Sequence, residues 1–69
     1  METKINATTT LEALANLCQQ WADSCGIALV GTYSQMARMG GYDAATFRAF
    51  AKRAKQLQRE TNANRNANN

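Results

Sequence analysis

Residues 47–59 read Phe47-Arg48-Ala49-Phe50-Ala51-Lys52-Arg53-Ala54-Lys55-Gln56-Leu57-Gln58-Arg59, and two patterns run through them together. At about 100° per residue of an α-helix, Phe47, Phe50, Ala51, Ala54 and Leu57 share one face. Arg48, Lys52, Lys55 and Arg59 form a stripe on another face. The first pattern predicts burial. The second sets several cations on one line, which a polyanion rewards. Asp43 is a suitable N-cap, and the chain has no proline, so the spacing predicts a helix from Ala44 to about Arg59.

Working outward, Thr32-Tyr33-Ser34-Gln35 has capping-box spacing and opens a short helix through Met39. Gly40-Gly41 breaks it. Further upstream, Thr9-Thr10-Leu11-Glu12 repeats the capping-box pattern, with Thr9 as the N-cap. Leu11, Leu14, Leu17, Cys18, Trp21 and Cys25 then recur at helical intervals, and Gly26 is a natural stop. Trp21 is expected in the core. Periodicity does not classify Ile27-Ala28-Leu29-Val30, which reads either as an extended connection plugging the core or as a further turn of helix. The extended connection is the expectation.

Length bounds the rest. With 69 residues the chain is one small domain with a marginal core, so dimerisation is expected to supply part of its stability. Residues 1–7 read as a flexible segment, 8–60 as the helical domain, and 61–69 as a disordered asparagine-rich tail. The fold class is all-α, a three- to four-helix domain whose last two helices form a hairpin.

Net charge is +3, but it is unevenly distributed. Residues 1–34 set Lys4 against Glu2, Glu12 and Asp23, a balance of −2. Residues 35–69 set Arg38, Arg48, Lys52, Arg53, Lys55, Arg59 and Arg65 against Asp43 and Glu60, a balance of +5. A basic second half points to nucleic acid as partner. No apolar run is long enough to span a bilayer, and residues 1–10 lack the apolar centre of a signal peptide. A cytoplasmic protein is expected.

Cys18 and Cys25 are the only cysteines and histidine is absent, so one chain lacks the ligands for a zinc site. On one helix these cysteines stand about 10.5 Å apart along the axis, too far for a disulfide. Buried free thiols are expected. No cofactor is expected, and an enzyme is not, because the carboxylates are scattered over separate elements and a cysteine nucleophile has no histidine base.

The stretch from Tyr33 to Lys52 resembles the helix-turn-helix of small phage and bacterial repressors. Ala37 is the small residue where the first helix meets the second, and Gly41 follows four residues later in the turn. Tyr42, Phe47 and Phe50 supply apolar positions after the turn, and Met36 faces inward. Gly40 departs from the pattern, which usually has an apolar residue there. The resemblance implies a recognition helix from Ala44 to Arg59 whose first turns enter the major groove. It places Ala44, Ala45, Thr46, Arg48, Ala49 and Lys52 toward the bases, with Arg48 able to grip guanine with two hydrogen bonds. It places Thr32, Ser34, Gln35, Arg38, Lys55 and Arg59 near phosphates.

The expected function is therefore a sequence-specific, dimeric DNA-binding transcriptional regulator, a repressor of a phage, plasmid or other mobile element. The alternative is a small adaptor or inhibitor whose basic helix docks on an acidic surface of a host protein. A helix lying on anionic membrane ranks last, because its apolar face is alanine-rich.

Overall fold

A computed structural model of the chain describes residues 1–39 and 43–67, with side chains of the last helix described through Ala63. Four helices account for the regular structure: α1 (Glu2–Ala7), α2 (Leu11–Cys25), α3 (Tyr33–Arg38) and α4 (Ala44–Ala67). Among the described residues there is no strand. The all-α expectation stands. Gly40, Gly41 and Tyr42, expected as the turn and the first apolar position after it, lie outside the described residues.

The long helix α4 is the hub, and α1, α2 and α3 each pack against it. Its inner face carries Phe47, Phe50 and Leu57, which are buried as their spacing predicts. Leu14 and Cys18 of α2, Met36 of α3 and Ile5 of α1 close the same core. Aromatic rings join the layers. Trp21 meets Phe47 edge-on at 5.1 Å between ring centroids, and Tyr33 stacks on Phe50 at 5.6 Å. Such pairs add about 0.5–1.5 kcal/mol each beyond their buried area.

The helix ends follow local chemistry. Thr32 and Gln35 form the reciprocal capping box at the start of α3, with Thr32 Oγ1 accepting from the Gln35 amide and Gln35 Oε1 accepting from the Thr32 amide. Gly26 ends α2 in the left-handed region at φ 70°, and the amide of Ile27 donates to the Ala22 carbonyl at 2.8 Å. This Schellman-type end suits glycine, which carries no Cβ penalty there. Residues 27–30 continue without helix or strand. Ile27 and Leu29 pack on the core, whereas Ala28 and Val30 are exposed.

Four details differ from the sequence reading. The N-cap of α2 is Thr10, not Thr9: its hydroxyl accepts from the Ala13 amide at 3.0 Å, because Leu11 and not Thr10 is the first helical residue. Leu11 and Cys25 are exposed although they share the angular face of Leu14 and Cys18. Periodicity assigns a face, and both ends of α2 overhang the layer it packs on. Residues 1–7 are not a featureless segment; they hold a helix whose Ile5 is buried at 1% exposure. Finally α4 continues past Arg59 to Ala67. Extending an existing helix gains one hydrogen bond per residue fixed, without a new nucleation cost. The Thr61 hydroxyl bonds back to the Leu57 carbonyl, and the Gln58 amide group donates to Asn62 Oδ1.

Candidate nucleic-acid interface

The stripe Arg48, Lys52, Lys55 and Arg59 is exposed throughout. At about 100° per residue its members fall within a 60° arc, roughly 160° around α4 from the buried face of Phe47, Phe50 and Leu57. At about 1.5 Å of rise per residue the stripe is about 16 Å long. Burial of the apolar face fixes the rotation of α4, and that rotation turns the cations outward.

Alongside this stripe, α3 contributes a second wall. Ser34, Ala37 and Arg38 of α3 face Arg48, Ala51, Lys52 and Lys55 of α4 across an open groove of about 490 Å³. Its small residues, Ala37 and Ala51, are half-buried, while Arg38, Arg48, Lys52 and Lys55 are exposed around them. No carboxylate is among the described lining residues. Four cations in one concavity concentrate positive potential, and low-dielectric walls strengthen such a field. Such a concavity is electrostatically suited to a polyanion.

The remaining candidates divide. Thr32 and Gln35 are exposed at the start of α3, with their side-chain oxygens already engaged in its cap. Arg59 extends the stripe toward the C-terminal end of the groove. Ala44, expected to face the bases, is buried at 9% exposure; the packing of α4 turns that first residue inward. Ala45, Thr46 and Ala49 line a different hollow, of about 280 Å³, whose other wall is Met1, Glu2 and Ile5 of α1. The structure therefore unites Ser34, Arg38, Arg48, Lys52 and Lys55, and sets Ala45, Thr46 and Ala49 on another flank.

Arg53 belongs to neither group, and the linear spacing of the cations does not mark its role. Its Nε and Nη2 donate to the Thr8 carbonyl at 3.1 and 2.6 Å, and Nη1 donates to Gln56 Oε1 at 3.1 Å. Thr8 caps the C-terminus of α1, so a forked cation satisfies a helix-end carbonyl and ties α1 to α4. The available signal was angular: Arg53 lies about 100° or more from each of Arg48, Lys52, Lys55 and Arg59, on the border of the apolar face.

The thiols offer no chemistry at this interface. Burial pushes the Cys18 thiol up from its ordinary 9.0, which keeps it protonated and a poor nucleophile. Tyr33 is raised from 10.0, first by burial and then by the neighbouring charge of an ionised Cys18. Cys25, expected to be buried, is exposed at the end of α2. Among the described residues no group of three or more His, Cys, Asp or Glu is placed to hold a metal ion, and no helix is long and apolar enough to cross a membrane.

No protein-family model, curated protein or solved structure matches this chain.

Proposed function

We propose that this protein is a small DNA-binding regulator that grips double-stranded DNA with the groove between α3 and α4, acting as a homodimer. The observation that carries the reading is the convergence of Arg38 from one helix with Arg48, Lys52 and Lys55 from another, with no described carboxylate among them. Cations drawn from two elements are harder to explain as the solvated face of one helix. A duplex is favoured over a single strand because single-strand binders stack bases on exposed aromatic rings. Among the described residues the aromatic rings, those of Trp21, Tyr33, Phe47 and Phe50, are instead packed in the core, and none of these lines the groove. The helix-turn-helix resemblance extends the proposal to transcriptional repression in a phage, plasmid or other mobile element.

Titration of a labelled duplex across a range of salt tests this. Binding is expected to weaken steeply, and Lys52→Glu with Lys55→Glu should abolish it while helix content stays unchanged. Replacing both by alanine should reduce the log–log salt slope by about 0.9 for each phosphate contact removed. A wild-type slope in that double-alanine variant would remove the groove from the interface. Selection from a random duplex pool addresses the regulator claim, since an enriched inverted repeat marks a sequence-preferring dimer and its spacing gives the distance between subunits. Capture of one acidic host protein, with no duplex bound at low salt, would replace the proposal by the adaptor alternative.

A further inference from the structure

We infer that the groove receives one sugar-phosphate strand of the duplex as a ridge, and that sequence is sensed through duplex shape and deformability instead of by side chains in the first turns of α4. The inference rests on the duplex-binding reading above and specifies how the duplex is held.

The form of the cationic surface is the first reason. Base edges lie on the floors of the duplex grooves, whereas the phosphate strands are its ridges. A convex element enters a groove; a concave one clasps a ridge. Arg38, Arg48, Lys52 and Lys55 line a concavity between two helices, and the small Ala37 and Ala51 leave it open. The groove's cations on α4, from Arg48 to Lys55, span about 10.5 Å, which matches the rise of about three phosphates along one strand.

The start of α4 supplies the second reason. A recognition helix reads bases with its N-terminal residues. Here Ala44 and Phe47 are turned inward, and Thr46 and Ala49 are half-buried beside α1. Met1 and Glu2 of the opposite wall stand beside Ala45, Thr46 and Ala49, and this close neighbour obstructs insertion of the helix start into a duplex groove. The docking of α1 is itself anchored, by Ile5 in the core and by the grip of Arg53 on Thr8. Sequence preference then comes from how readily a given duplex bends or narrows to fit, which generates specificity at positions no side chain touches.

Chemically altered duplexes test this against the intact protein. Neutral methylphosphonate linkages along one strand should weaken binding about tenfold or more. A guanine analogue lacking the major-groove ring-nitrogen acceptor should change affinity less than about twofold. Arg48→Ala should weaken every duplex in a sequence panel by one common factor, lower the salt slope by about 0.9, and preserve the order of preference. Loss of binding with the guanine analogue, or a reordered panel with Arg48→Ala, would overturn the inference and leave duplex binding standing. Failure of the wild-type chain to bind any duplex at low salt would overturn both.

Discussion

Arg53 shows how one side chain of a basic helix can belong to the fold while its neighbours remain available to a partner. Its guanidinium is partly buried and bonds the Thr8 carbonyl twice. Arg53→Met should destabilise the protein by about 1–3 kcal/mol, because a helix-end carbonyl loses a charge-assisted partner. Its effect on the salt slope of duplex binding should be nil, in contrast to Lys55→Ala; chemical denaturation and the salt titration measure the two effects separately. The cysteines separate as cleanly. Under native conditions a thiol reagent should label exposed Cys25 and spare buried Cys18, whereas denaturant should expose both; rapid native labelling of Cys18 would contradict its burial. Cys18 and Tyr33 both hold their protons more tightly when folded. The folded state therefore binds more protons than the unfolded chain in the alkaline window, and stability falls as pH rises past those ordinary values. Their contribution is complete at neutral pH, so denaturation midpoints measured from pH 7 upward should decline only beyond about pH 9.

The helices themselves were largely legible in the sequence, because caps and apolar spacing are local. Thr32 and Gln35 complete the predicted box, and Thr32→Ala should cost about 1 kcal/mol. Gly31 adds a constraint at the same helix start. Its φ is 80°, and a Cβ there would collide with the Gln35 side chain that caps the helix, so Gly31→Ala should both strain the backbone and dislodge the cap. The first helix was not legible, since one isoleucine among polar residues has no period to reveal it. Ile5 nonetheless fills the core, and Ile5→Ala should destabilise by about 2–5 kcal/mol in thermal or chemical unfolding. A change below about 0.5 kcal/mol would mean that α1 does not dock as described.

At the scale of the whole molecule, one helix organises everything. The molecule measures 42 × 20 × 19 Å, and the 24 residues of α4 account for about 36 Å of length. Among the residues whose side chains are described, its last buried anchor is Leu57, and residues 58–63 are exposed. Truncation after Glu60 should therefore change the unfolding free energy by less than about 0.5 kcal/mol, as expected for surface changes. A large loss would point to a partner of the helix end, and comparing the shift across protein concentrations would show whether a second subunit provides it.

The sequence by itself determined that the chain is helical, which face of α2 and of α4 carries the large apolar side chains, and that the cations of α4 form a line. Those properties follow from backbone periodicity and from groups a few residues apart. Only the tertiary structure decided that Arg38 joins that line across a groove, that Arg53 leaves it for Thr8, and that α1 stands beside the start of α4. Each depends on where helices overlap along their lengths, which is set by mutual packing over tens of residues, and helical spacing carries no information about that overlap.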